Sequence, residues 1–222
     1  MDRPIGGRPW PERAIALLLV VSLGVMTRVA SDRRPVPHPP PLPLPMRVHT
    51  VPLPDSVWQV LLRDGHSTGR PDAGDTLVVF CDYECPACGS MMPLLDSLLA
   101  GQHPVVVLHR HFPLPNHRYA FEKAVAVECV ARVGRMAEGQ AMMYEQGGVP
   151  VEPVHLATRL GIDPEMMDDC WQRGEARLAV ERDLALALAL ELRGTPSVFF
   201  AGSQWSHFPD LAQLLELVRT GG

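Results

Sequence analysis

The 222 residues are 46 % hydrophobic and carry a formal net charge of −5, enough apolar material to pack one or two domains. There is no basic surplus for nucleic acid, and five unevenly spaced cysteines exclude a small scaffold built on disulfides. The first 54 residues carry seven Arg or Lys against three Asp or Glu, and the remainder carry 13 against 22, the pattern of an acidic folded body behind a basic targeting segment.

Residues 1–30 read as a signal peptide or signal-anchor. Arg3, Arg8 and Arg13 precede an apolar run from Ala14 to Met26. The run is shorter than the ~20 residues that span a bilayer and fits the apolar region of a secretory signal. Ser22-Leu23-Gly24 has small residues at the separation cleavage needs but lies inside the run. Arg28-Val29-Ala30 puts a charge where a small residue is wanted, so an uncleaved anchor is favoured. Residues 31–54 follow as a proline-rich spacer, with nine prolines between Arg33 and Pro54. Such a tract adopts extended polyproline II, about 3.1 Å per residue, and builds no core. It reads as a stiff spacer that lifts a domain off a membrane, with a ligand for a proline-binding partner as the alternative.

The folded domain is placed at 55–222. Asp55-Ser56 is a candidate cap for a short helix carrying Val57, Trp58, Val60, Leu61 and Leu62, and Gly65 to Asp75 reads as a turn-rich connector. Thr76 to Phe80 is a continuous apolar run, as in a central strand buried on both faces. Cys81, at its end, reads as a small buried residue, with a third redox thiol as the alternative. Cys85-Pro86-Ala87-Cys88 then opens a helical segment, Gly89 to Leu99. A helix N-terminus supplies a partial positive charge and unpaired N–H groups, a setting that stabilises a thiolate, the nucleophile of disulfide exchange. Cys85 is therefore the candidate attacking sulfur and Cys88, one turn in, the shielded resolving one. Pro86 suits the first helical turn, and Pro93 predicts a kink. Met91 and Met92 read as core or groove lining.

A zinc site at this C-x-x-C would need two further ligands. The nearest nitrogens are His109 and His111, after the next apolar run, Pro104 to Leu108. Taken alone, each histidine reads as a surface or hydrogen-bonded residue. From Asn116 the period becomes helical. Ala120, Ala124, Ala126, Val130 and Val133 share one face of a helix predicted to reach Met136. Val154 to Leu160 forms a second helix, ended by Gly161. Asp163-Pro164 caps a third, through Trp171, and a long Ala/Leu-rich helix runs from Glu175 to Leu192. Strands follow at Ser197 to Ala201 and Gln204 to Ser206, then a final amphipathic helix beginning at Pro209-Asp210. Trp205 reads as core or groove.

Phe80-Cys81-Asp82-Tyr83-Glu84-Cys85-Pro86-Ala87-Cys88 resembles the active-site signature of the DsbA-like thiol–disulfide oxidoreductases of the thioredoxin superfamily. Arg110-His111-Phe112-Pro113-Leu114 resembles the strand leading into that family's inserted helical domain. Gly194-Thr195-Pro196-Ser197-Val198-Phe199-Phe200 resembles its cis-proline loop and the following strand. The resemblance runs from about Trp58 to the C-terminus. It implies an α/β, thioredoxin-like fold with an inserted all-helical domain at about 116–190. It also implies a catalytic pair Cys85 and Cys88, with Pro86 and Ala87 between them in the active-site loop. Thr195-Pro196 would be cis and face the sulfurs, with the Thr195 backbone free to pair with an extended substrate. Some relatives carry a second disulfide between inserted helices, which here falls on Cys129 and Cys170. Two departures stand out. Val79 occupies the position where relatives commonly bury an acid beneath the disulfide, and Pro86-Ala87 lacks the histidine of the strongest oxidants. The second departure implies a less oxidising pair.

The resemblance therefore implies a periplasmic or otherwise extracytoplasmic oxidoreductase, tethered to the membrane by its N-terminal apolar segment and exchanging disulfides with protein substrates. It requires no bound cofactor or metal, because the redox equivalents reside on two sulfurs. A membrane partner, either a quinone-linked oxidase or a thiol reductase, would reset them. Two alternatives remain: a Cu(I) carrier using Cys85 and Cys88 with His109 or His111, and a redox-inactive chaperone on the same fold.

Overall fold

The apolar run read as a central strand lies in the middle of the sheet. In the computed structural model, which describes residues 48–70, 73–101 and 105–220, β3 (Asp75–Cys81) pairs in parallel with β4 (Val105–His111) and antiparallel with β5 (Ser197–Phe200). Beyond β5 lie β6 (Ser203–Trp205) and then β1 (Thr50–Pro52). Beyond β4 lies β2 (His66–Gly69), antiparallel to it. The order is β1-β6-β5-β3-β4-β2. The leader and residues 31–47 of the proline tract lie outside the described residues. Among those described, no helix is long and apolar enough to cross a membrane.

The two-residue period of β3 sends Leu77, Val79 and Cys81 to one face and Val78 and Phe80 to the other. The first face is covered by α2 (Pro86–Leu99) and, at the end of the chain, α8 (Leu211–Thr220), through Leu95, Leu98, Leu214 and Val218. The second is covered by α1 (Asp55–Leu61) and the segment ending at Leu192. Leu61, Ala187 and Leu192 pack there on Phe80 and Phe199, whose rings meet edge-on at 5.9 Å. The inserted helices are α3 (Ala120–Ala131), α4 (Met136–Gln146), α5 (Pro153–Leu160), α6 (Pro164–Arg173) and α7 (Glu175–Ala189). They bury their own core around Val127, Val130, Met143, Leu156, Met167 and Val180. A buried ion pair joins this helical layer to the sheet. Arg110 donates from Nη1 to Asp183 Oδ1 at 2.6 Å and from Nη2 to the Leu61 carbonyl at 3.0 Å, while the His111 N–H donates to Asp183 Oδ2 at 2.9 Å.

Cys129 on α3 and Cys170 on α6 form a disulfide across a sequence separation of 41. A loop of that length restricts the unfolded chain by about 4 kcal/mol in the chain-entropy picture. The double variant Cys129→Ala/Cys170→Ala is expected to lose stability of that order. Equilibrium urea unfolding under non-reducing conditions measures it, and an unchanged midpoint would show that the loop is already restricted in the unfolded chain.

Several boundaries differ from the sequence reading. The sheet includes Thr50–Pro52, which had been assigned to the spacer, so the folded unit begins before Asp55. Pro52 is tolerated because β1 is an edge strand. The connector from Gly65 contains β2, whose residues His66-Ser67-Thr68-Gly69 lack the apolar alternation that marks a strand. Asp55 and Ser56 do not cap α1; Pro54 precedes it without a side-chain cap, and Val60 is exposed. The helix expected to reach Met136 stops at Ala131. Gly134, at φ 74°, takes the left-handed conformation, and the Arg135 N–H returns to the Val130 carbonyl, a glycine stop. The chain then starts α4, which the sequence reading had missed. A Cβ at Gly139, inside this helix, would come within 2.9 Å of Val130, so α3 and α4 approach closely only without one. The long helix ends at Ala189 rather than Leu192. The capping read at Asp163 is present, its carboxylate accepting from the Glu165 N–H.

Candidate active site

The end of β3 and the start of α2 place the Cys85-Pro86-Ala87-Cys88 loop. The Cys85 N–H closes a turn onto the Asp82 carbonyl at 3.1 Å. The Cys85 carbonyl accepts the first helical bond, from Gly89 N–H, at 3.2 Å. Cys85 is thus the N-cap and Pro86 the first helical residue, so the positive end of the α2 dipole lies at the Cys85 sulfur. Pro86 and Ala87 are exposed; Cys85 is 8 % exposed and Cys88 fully buried. The helix continues unbroken through Pro93 to Leu99.

Thr195 and Pro196 are far from this loop in sequence. The sheet brings them to it, because β5 lies against β3, pairing Ser197 with Phe80. The Thr195–Pro196 bond is cis, and the Cys85 thiol donates to the Thr195 carbonyl at 3.3 Å. Two concavities flank the loop. One, of about 450 Å³, includes Tyr83, Glu84, Pro86 and Tyr144. The other, of about 550 Å³, includes Ala87, Met91, Leu94, Pro196 and Phe208. Apolar walls on both sides of an exposed Pro86-Ala87 suit an extended peptide.

Beneath the loop, Val79 and Cys81 lie in the same apolar cluster as Cys88. With a valine at that position, no carboxylate from β3 reaches Cys88 there. The Cys88 thiol is pushed well above the ordinary thiol range by its hydrogen bond with Cys81 and by burial. Asp82 does not substitute for the missing acid. It is buried, and its carboxylate accepts from the N–H groups of Glu84 (2.6 Å) and Leu114 (2.7 Å) and meets His117 Nδ1 at 2.9 Å. It fastens the active-site loop to the chain that leaves β4. Glu84 accepts from the Tyr119 N–H at 3.1 Å and so ties the same loop to the start of α3.

His109 and His111 are on β4 itself, both buried. His109 contacts Thr68 Oγ1 at 3.1 Å and Gln140 Nε2 at 3.3 Å, and Gln140 continues to the Tyr83 hydroxyl at 3.4 Å. His111 and His66 converge on Glu128 Oε2 at 3.3 and 2.6 Å. Both imidazoles are thus engaged away from the sulfurs. Among the described residues, no group of three or more His, Cys, Asp or Glu is arranged to hold a metal ion.

This polar layer makes stability pH-dependent. Burial pushes the Glu128 carboxyl up, but the bonds from His111 and His66 outweigh it and hold the group at about 2 against an ordinary 4.5. Burial lowers His109 to about 4 from 6.5. In both cases the unfolded chain binds the proton more readily, so stability is lost as pH falls through 6.5 to 4 for His109 and through 4.5 to 2 for Glu128. Each is worth about 3 kcal/mol over its window. The melting temperature is expected to be level between about pH 7 and 8 and to fall steadily below 6.5, with Glu128→Gln flattening the limb below 4.5. A level melting profile down to pH 4 would contradict this.

The fold brings Cys85, Pro86, Ala87 and Cys88 together with Thr195 and Pro196, the residues named from the sequence; that Cys81 shares the buried cluster of Cys88 and that Asp82, His117, Gln140 and Tyr144 frame the loop was not foreseen. The two-residue period from Leu77 was the available signal for Cys81. His117, Gln140 and Tyr144 come from the inserted helices and their approach, and nothing local marks them.

The thioredoxin family model matches residues 62–219, and the chain belongs to that family. Its fold is that of the DsbA-like proteins. The thiol-disulfide exchange protein alpha-DsbA2 from Wolbachia pipientis aligns with a TM-score of 0.67 at 17 % identity, over 74 % of this chain and 92 % of that one. A thioredoxin-like oxidoreductase from Silicibacter pomeroyi gives 0.64 at 23 %, over 75 % and 95 %. Among curated proteins, the Na(+)/H(+) antiporter NhaA 1 of Mycolicibacterium gilvum is 31 % identical over 162 residues, which is 70 % of this chain and 26 % of that protein. The chain spans about a quarter of the length of the curated relatives it matches.

Proposed function

We propose that the protein is a thiol–disulfide oxidoreductase that exchanges disulfides with protein substrates outside the cytoplasm. The observation that carries this reading is the asymmetry of the two sulfurs: Cys85 at the mouth of the loop against the Thr195 carbonyl, Cys88 one turn behind it and fully buried. In the donor direction, a substrate thiolate attacks Cys85 Sγ of the Cys85–Cys88 disulfide. A mixed disulfide forms, and the electron pair leaves on Cys88, which takes up a proton. A second substrate thiolate then attacks the substrate sulfur and expels Cys85. In the reductive direction the same bonds form and break in reverse. The Thr195 backbone, beside Cys85, offers strand-type pairing to the bound segment.

The Cys129–Cys170 disulfide supports an oxidising compartment, and the basic, apolar leader supports export with tethering to a membrane. A membrane oxidase or thiol reductase would then reset the cysteine pair. The length shared with the antiporters, 162 residues in the Mycolicibacterium gilvum protein, is close to the span of the thioredoxin match. On this reading, what is shared is a thioredoxin unit and not ion transport.

The test is the reduction potential of the purified full chain in graded glutathione buffers. A value between roughly −120 and −180 mV makes it a disulfide donor, and one near roughly −270 mV a reductase. Absence of any reversible Cys85–Cys88 disulfide overturns the reading.

A further inference from the structure

We propose that Cys81 is a third redox thiol of this site, so that Cys88 is held alternately by Cys85 and by Cys81; this rests on the oxidoreductase reading above. The placement follows from the pleat of β3. Leu77, Val79 and Cys81 project to the face that α2 covers, which brings Cys81 into one buried cluster with Cys85 and Cys88. Among the described residues these are the three free cysteines, all buried. Cys81 is 3 % exposed and packs in that cluster with the fully buried Cys88, and its proximity helps to push the Cys88 thiol up. Beside these sulfurs lies the buried Tyr144 hydroxyl, pushed above its ordinary range by burial and by the neighbouring Cys81, Tyr83 and Cys88. A thiol packed in the same buried cluster as both members of a redox pair has an exchange partner close at hand.

The step balances within the chain. Starting from the Cys85–Cys88 disulfide, the Cys81 thiolate attacks Cys88 Sγ. The Cys81–Cys88 bond forms, the Cys85–Cys88 bond breaks, and the electron pair leaves on Cys85, at the positive end of α2, where a thiolate is best stabilised. The proton lost by Cys81 is taken by Cys85 or by water. No external oxidant or reductant is consumed. The product keeps its oxidising equivalent in a buried bond and presents Cys85 as a free nucleophile. In that form Cys85 attacks a substrate disulfide but has no Cys88 thiol to resolve the mixed disulfide. Only another thiol of the substrate releases it, and the outcome is disulfide isomerisation.

Glu84 lies between Cys81 and the other two cysteines, so cleavage after Glu84 reports the pairing directly. The full chain is equilibrated in graded glutathione buffers, quenched with acid, alkylated and cleaved with a glutamate-specific protease. Cys85–Cys88 pairing releases a separate peptide with alkylated Cys81. Cys81–Cys88 pairing leaves the two pieces joined, with Cys85 alkylated. The wild-type protein is expected to give both species. Cys85→Ala is expected to convert most chains to the joined form, with two fewer alkylatable thiols than its reduced form, and Cys81→Ser to remove the joined form while keeping Cys85–Cys88. Wild-type protein that forms Cys85–Cys88 but never the joined species, with Cys85→Ala retaining both thiols, overturns the proposal alone. Wild-type protein that forms neither disulfide overturns the oxidoreductase reading and this proposal with it.

Discussion

Cys85→Ser is expected to reduce thiol–disulfide exchange to the uncatalysed background, a loss of roughly a thousand-fold or more, because only a thiolate performs the attack and a serine hydroxyl has no comparable state. The helix N-terminus and the Thr195 carbonyl, 3.3 Å from the sulfur, would remain in place with nothing for them to act on. Cys88→Ser separates the two roles. It leaves the Cys85 sulfur at the mouth of the loop, so attack on a substrate disulfide continues, but nothing behind it resolves the product. Mixed disulfides between Cys85 and the substrate should therefore accumulate. The readings are catalysed reduction of a disulfide-bonded protein substrate and the intact mass of the acid-quenched enzyme. If Cys88→Ser traps no adduct while Cys85→Ser does, the roles are reversed.

Asp183→Ala is expected to cost about 3–5 kcal/mol of stability, the usual penalty for leaving a buried charge without its partner. Arg110 and Asp183 are both almost fully buried. The Asp183 carboxylate serves the Arg110 guanidinium through one oxygen and the His111 N–H through the other, so alanine strands a cation and a backbone donor together. Asp183→Asn keeps an acceptor for one of the two donors and should lose less. Urea unfolding followed by circular dichroism measures both variants. A loss below 1 kcal/mol for alanine would mean that water or a neighbouring group replaces the carboxylate. The pair also joins α7 to β4, so the variant should loosen the helical layer from the sheet and expose the amides of α7 to faster hydrogen exchange.

The parts of the molecule legible in the sequence were those with strong local signals. Thr76 to Phe80 is too continuously apolar to be anything but an interior segment, and the C-x-x-C after it marks a helix start. Gly161 and Asp163-Pro164 announced a helix end and a helix start through left-handed backbone and capping, which need no tertiary partner. The failures have equally local causes. β1 and β2 are short edge strands held by backbone pairing to Trp205 and His109, with proline, histidine and serine where an apolar alternation would be expected. α4 carries a glycine inside it because Val130 of the neighbouring helix occupies the space of a Cβ. The stop at Gly134 was available in the sequence, but the apolar period runs up to Val133 beside it and Met136 follows two residues after the glycine, so the period favoured a longer helix.

The sequence by itself marked the candidate redox pair and roughly where the elements lie, because thiol spacing, apolar period, caps and breakers act over a few residues. It also contained Thr195-Pro196, Cys129 and Cys170, but only family resemblance attached a role to them, since nothing in the chain states which distant segments meet. The tertiary structure alone decided the rest. It sets β5 against β3, so the Thr195 carbonyl reaches Cys85. It buries Asp82 as a clamp rather than a base, engages His109 and His111 with Thr68, Gln140 and Glu128, and brings Cys81 into one buried cluster with Cys88. Each of these is a contact made through sheet pairing or helix packing, and its energy depends on burial and on a partner far away in sequence, quantities that no local pattern encodes.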